Sequence, residues 1–172
     1  MTVKKIESFA KWIIITIGLC TFCSCTTYYY VVRHAERQDT SPNSPLSATG
    51  LQRAGILRDS LITKGIDFIY ASTFLRTQQT AQPLATALGK SLQIYIPDTT
   101  KKLITVLKRI KGKRVLVVGH SDTVPEIVLG LSGETVPAIA FNDFDNLYVI
   151  KIKKRPCSRK KMWHKTYGLA SP

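Results

Sequence analysis

Val115-Leu116-Val117-Val118 is an unbroken apolar run, and it constrains the fold more than any other segment. A strand with one wet face alternates apolar and polar residues. A continuous β-branched run instead predicts a central parallel strand covered on both faces. Such a strand needs helices on either side, and the flanking sequence offers them. Residues 28–33, Tyr-Tyr-Tyr-Val-Val-Arg, read as a buried strand. After a polar loop with Pro42 and Pro45, residues 47–64 predict a helix. Ser47 suits its N-cap, Leu51, Ala54, Leu57 and Leu61 recur at helical spacing, and Gly65 ends it. Further strands are expected at 68–71, 92–96 and 147–152, and further helices at 74–88, 100–110 and 123–131. The alternation predicts an α/β fold: a three-layer sandwich with a mostly parallel central sheet and helices on both faces.

Charge divides the chain differently. The composition, 44% hydrophobic and 21% charged, is an ordinary globular mix that excludes disordered, collagen-like and disulfide-scaffold classes. The net charge of +14 points to an anionic partner. Its position matters more than its size: residues 151–172 hold eight Lys and Arg and no acid. Residues 153–172 are expected to be a solvated, unstructured basic tail. Trp163, His164 and Tyr167 within it leave open an alternative role against anionic lipid or nucleic acid. Nucleic acid is not an expected partner of the body.

The other end reads as a targeting segment, residues 1–24. Lys4, Lys5 and Lys11 precede an apolar run from Trp12 to Phe22, which is short of the ~20 residues that span a bilayer. Ser24-Cys25 resembles the end of a bacterial lipobox, although Phe22 and Cys23 depart from its usual residues. The expectation is a lipid on Cys25 and a membrane-attached protein of the bacterial envelope, facing periplasm or exterior. A cleaved secretory signal, and hence a secreted protein, is the alternative. Cys20, Cys23 and Cys25 lie in or beside this apolar run, which argues against a metal site. Only Cys157 remains, so no disulfide is expected within the body at 25–152.

Reactive residues cluster where the strands should end. The first strand runs into Arg33-His34-Ala35-Glu36. The second runs into Ser72-Thr73, with Arg76 opening the next helix. The fourth runs into Gly119-His120-Ser121-Asp122. Ligands of open α/β sheets bind beyond the carboxyl ends of the strands. Arginine forks match phosphate oxygens, and a neutral imidazole is a nucleophile able to accept a phosphoryl group. No metal or other cofactor is required by these residues.

Four stretches carry a family resemblance. Val32-Arg33-His34-Ala35-Glu36 resembles the R-H-[GA]-E motif of the histidine phosphatase superfamily, the phosphoglycerate mutase-like group. Leu46-Ser47-Ala48-Thr49-Gly50-Leu51-Gln52-Arg53-Ala54 is similar to its L-[ST]-x-x-G-x-x-Q-A stretch. Ser72 to Ala81 resembles its S-x-x-x-R-[AT]-x-x-T-A segment, and Val117 to Ser121 its V-x-H-[GS] motif. The resemblance implies that His34 is the nucleophile, forming a phosphohistidine, and that Arg33, Arg76 and His120 bind the phosphoryl group. It implies hydrolysis of phosphorylated small molecules or phosphoprotein side chains. The alternatives are a catalytically inactive, anchored anion-binding protein and a mutase-like phosphotransferase. The short body is similar to the compact branch that includes phosphohistidine phosphatases. Residues 77–97 contain no acid, so the glutamate that larger members use as proton donor is missing. Asp98 and Asp122 rank equally as substitutes, with Glu36 as a possible accessory.

Overall fold

The computed structural model describes residues 25–154 and 158–171. The elements come in the expected alternation. They are β1 (Thr26–Arg33), α1 (Ala48–Leu61), β2 (Phe68–Ser72), α2 (Leu75–Ala87), β3 (Leu92–Tyr95), α3 (Thr100–Arg109), β4 (Arg114–Gly119), α4 (Thr123–Ser132), β5 (Asn146–Lys154) and β6 (Ser158–Thr166). Helix α1 starts as its sequence predicts: the Ser47 hydroxyl accepts from the Gly50 amide at 3.0 Å. A short 3₁₀ turn, Ile62–Lys64, follows it and stops at Gly65, whose φ of 64° is left-handed. Asp122 directly precedes α4, and its carboxylate accepts from the Thr123 amide at 2.8 Å.

The sheet order is β3-β2-β4-β1-β5-β6. Strands β1 to β4 run parallel, with Arg33 opposite Gly119, and β5 lies antiparallel against β1. Side chains alternate between the two faces. Tyr29, Val31, Val115 and Val117 pack under α3 and α4, against Leu103, Leu107, Ile127 and Leu131. Tyr30, Val32, Leu116 and Val118 pack under α1 and α2, against Leu57, Leu61, Leu84 and Ala85. Val115 to Val118 have no exposed surface, so the run that defined the strand is covered on both sides. Each such side chain contributes about 1.5–3 kcal/mol by its removal from water. An Asp at Val117 would leave a charge with no partner in that layer.

One expectation fails. Residues 147–152 are not the last strand, and the basic end is not an unstructured tail over 158–166. That stretch is β6, paired antiparallel with β5 from Asn146–Thr166 to Lys154–Ser158. Backbone hydrogen bonds hold it, together with a few side chains among the lysines. Met162 packs on the α3/α4 core, and the His164 ring stacks on Tyr148 with centroids 4.7 Å apart. Buried Tyr167 follows, and Arg53 donates to the carbonyls of Tyr167 and Leu169. The lysines face water on an edge strand, where positive charge discourages pairing with another chain. Their density masked the strand, since charge without an apolar run reads as solvated chain.

Two glycines set backbone spacing near the strand ends. A Cβ at Gly50 would collide with the Glu36 carbonyl oxygen. Only glycine lets α1 lie against the loop that follows His34. A Cβ at Gly119 would sit 2.8 Å from Thr123 Oγ1, the atom that accepts from the His120 amide.

Candidate active site

Hydrogen-bonded neighbours bring the two histidines together. Because β1 and β4 pair in parallel, Arg33 lies beside Gly119, and the next residues in each chain are His34 and His120. The His34 amide donates to the Gly119 carbonyl at 2.9 Å, and the two imidazole centroids are 5.3 Å apart. Both rings are buried, at 5% and 8% exposure. His34 Nδ1 lies 2.7 Å from the Ala35 carbonyl oxygen. A carbonyl only accepts, so Nδ1 carries the proton and Nε2 keeps its lone pair. Burial pulls the His34 pKa down to about 3, with positive charge around His120, Arg33 and Arg76 adding to the effect. The ring is therefore neutral at about pH 7.

His120 is fixed through a hydroxyl relay. Its Nε2 lies 2.8 Å from Ser72 Oγ, and its Nδ1 lies 3.4 Å from an Arg76 nitrogen. A guanidinium only donates, so Nδ1 accepts and Nε2–H donates to Ser72. Ser72 Oγ in turn lies 2.8 Å from Thr77 Oγ1, which donates to the Phe74 carbonyl. Burial, with the charge of Arg76 adding to it, lowers the His120 pKa to about 4. Sequence reasoning quoted Ser72 and Thr77 inside a motif without giving them a role. Their signal was polarity at a buried strand end.

The arginines are held at one edge and free at another. Arg33 donates to the carbonyls of Ala140 and Asp143, at 2.6 and 2.9 Å, and its guanidinium lies 4.3 Å from the Phe144 ring centre. Arg76 donates to the Pro42 carbonyl at 2.9 Å and stacks over Phe74 at 4.4 Å. The Nε of each is buried with no partner among the described residues. Burial lowers both pKa values, yet a guanidinium stays charged. One buried and one half-buried guanidinium, each with an unused donor beside two neutral imidazoles, offer the kind of donors that an oxyanion accepts. The 140–144 loop is a part that sequence reasoning missed. Its only signal is the dense acidic and aromatic run Phe141-Asn142-Asp143-Phe144-Asp145.

The candidate carboxylates separate. Glu36 turns away from the histidines and pairs with Arg53, at 2.7 Å, so its role is to tie the loop to α1. Asp98 and Asp122 line a separate depression of about 580 Å³ beside Lys101, Lys102 and Glu126. The negative charge of Asp122 reaches His120, Arg33 and Arg76. Asp143 acts on Arg33, and sequence reasoning did not select it. Cys25 lies at the opposite end of the sheet, where its carbonyl accepts from the Lys154 amide. Among the described residues no group of three or more His, Cys, Asp or Glu could hold a metal ion.

The family model described as histidine phosphatase superfamily (branch 1) matches residues 29–99, from β1 to the start of α3. The match takes in the first strands and helices and less than half of the chain. Solved structures resemble the chain over most of their length. The protein histidine phosphatase SixA complexed with tungstate shares 19% identity at a TM-score of 0.62, covering 81% of this chain and 96% of that one. A putative phosphohistidine phosphatase SixA from Agrobacterium tumefaciens shares 19% at 0.56, covering 79% and 97%. A mycobacterial glucosyl-3-phosphoglycerate phosphatase shares 12% at 0.65, covering 80% and 97%. At these identities the likeness establishes the fold alone. No curated protein sequence matches the chain.

Proposed function

We propose that the chain is a phosphatase that hydrolyses phosphomonoesters or phosphorylated protein side chains through a phosphohistidine on His34. One observation carries this reading. His34 is held with Nδ1 protonated and Nε2 bare, beside two arginines whose buried Nε groups lack partners. In the first step the Nε2 lone pair forms a bond to phosphorus, and the ester P–O bond breaks. Arg33, Arg76 and His120 stabilise the charge on the transferring oxygens. In the second step water attacks phosphorus, and the N–P electron pair returns to Nε2.

The leaving oxygen takes a proton, and Asp122 is the donor in this reading, because it stands two residues past His120 at the end of β4, between the histidine and the depression that it lines. It takes the proton back from the attacking water. Asn caps helices as well as Asp does, so Asp122→Asn keeps α4 intact. The variant should lose much more activity on an alkyl phosphate than on an aryl phosphate, whose leaving group needs no proton. An equal loss on both substrates would point to Asp143 or Asp98 instead. The reading as a whole is tested by assaying an aryl phosphate with the wild type and His34→Ala. Full turnover by the variant would exclude it.

The proposed location is the bacterial envelope, with lipid on Cys25. The N-terminal segment lies outside the described residues. The geometry supports the reading in one respect: Cys25 precedes β1 directly, at the end of the sheet away from His34. Eight residues of extended chain put about 25 Å between the two ends. Metabolic palmitate labelling tests it, and an unlabelled Cys25 would contradict it.

A further inference from the structure

We propose that the amino end of the sheet, around Cys25, is a docking face for an anionic lipid surface, leaving the catalytic end pointed away from it. The bases of this face come from separate parts of the chain. Lys108 lies in the last turn of α3, Lys111 stands in the turn between α3 and β4, Lys153 and Lys154 close β5, and Arg159 lies at the start of β6. The turn and strand ends meet at Cys25. Lys154 Nζ donates to the Lys108 carbonyl, and the Lys154 amide donates to the Cys25 carbonyl, each at 3.2 Å. A Cβ at Gly112 would sit 2.8 Å from Cys25 Sγ, and Lys153 lies opposite both Thr26 and Arg159 in the ladder. Lys108, Lys111 and Arg159 are exposed. Asp67 and Glu134 are acids at this end, and Lys113 already engages Asp67 at 3.0 Å.

The opposite end carries Glu36, Asp98, Asp122, Asp143 and Asp145, although its binding site is cationic. The fold is therefore electrically polar along its strands. The chain enters at the basic end, directly after the lysine-flanked apolar run at 12–22. Contact of that run with a bilayer would bring these bases to the headgroups, which favours lipid over nucleic acid as the occupant. A polybasic patch adds to a hydrophobic or lipid anchor that is marginal by itself. The inference rests on charge placement and does not depend on the phosphatase reading.

The full chain should be titrated with phosphatidylcholine vesicles, with and without phosphatidylglycerol, at low and high salt. Wild type should bind the anionic vesicles more tightly, and salt should erase the difference. Lys108→Gln, Lys111→Gln and Lys153→Gln together should cut the anionic preference at least tenfold, since each near-surface lysine is worth roughly fivefold. Lys101→Gln, Lys102→Gln and Lys165→Gln remove equal charge from the other end and should leave most of the preference. A far-UV circular dichroism spectrum and a urea midpoint equal to those of wild type report that the fold of the first set is intact. Equal losses in the two sets, or no preference for phosphatidylglycerol, would overturn the proposal. So would tighter binding of an oligonucleotide than of vesicles, dependent on the same three lysines.

Discussion

The two ends of the sheet use positive charge in opposite ways. At the carboxyl end Arg33 is buried and Arg76 half-buried, and they are stacked on Phe144 and Phe74 and hydrogen-bonded to fixed carbonyls. At the amino end the lysines are numerous and wet. A charge in a low-dielectric site acts strongly on a bound anion, whereas an exposed one is screened within about a Debye length. Two arginines can therefore define chemistry that a net charge of +14 cannot. The contrast predicts a division of labour. Changes at the carboxyl end should remove activity with little cost in stability, and changes toward the amino end should do the reverse.

The largest test is His34→Ala, which should lower kcat/KM on the order of 10⁴-fold or more while leaving the urea midpoint nearly unmoved. A variant that unfolds early would show that the ring serves packing. Arg76→Ala should follow, with a loss of roughly 10²–10³-fold, as for other donors to developing charge. Ser72→Ala should cost about tenfold in activity, since it frees His120 to adopt the other tautomer. Ring NMR of His120 would report the tautomer change, and an unaltered spectrum would contradict the relay.

pH separates the ends further. The unfolded histidine titrates near 6.5, whereas His34 in the fold titrates near about 3 and His120 near about 4. Between these values the unfolded chain binds more protons, so stability rises with pH and is fully present above about 6.5. Going from about pH 7 to about pH 4.5, wild type should lose more stability than a His34→Asn, His120→Asn variant. Equal losses would mean that the rings are not buried neutral. The smallest effect belongs to Tyr29, whose hydroxyl donates to the Leu107 carbonyl at 2.6 Å in the core. Tyr29→Phe should cost about 1 kcal/mol in denaturant unfolding and leave kcat/KM unchanged.

What the sequence disclosed follows the same division. Val115–Val118, Ser47 and Gly65 are local signals with one physical reading each, so the parallel layers were legible. His34, His120, Arg33 and Arg76 were legible because each directly follows or adjoins a strand end. Strand β6 was not, since its stability comes from the ladder to β5 and from Met162 and His164 meeting residues far away in sequence. Glu36 and Arg53 are 17 residues apart, and their pairing depends on how α1 lies against the loop. The partners of Arg33 in the 140–143 loop are more than 100 residues distant, with no motif to announce them.

The most direct test of the nucleophile is to trap the intermediate. Full-length protein mixed with a phosphomonoester should be quenched by denaturant under alkaline conditions, which spare phosphohistidine, and its peptides weighed by mass spectrometry. A phosphoryl group on His34, absent from His34→Ala and lost on a timescale matching turnover, is the result predicted. A phosphoryl group on another residue, or turnover retained by His34→Ala, would contradict the account.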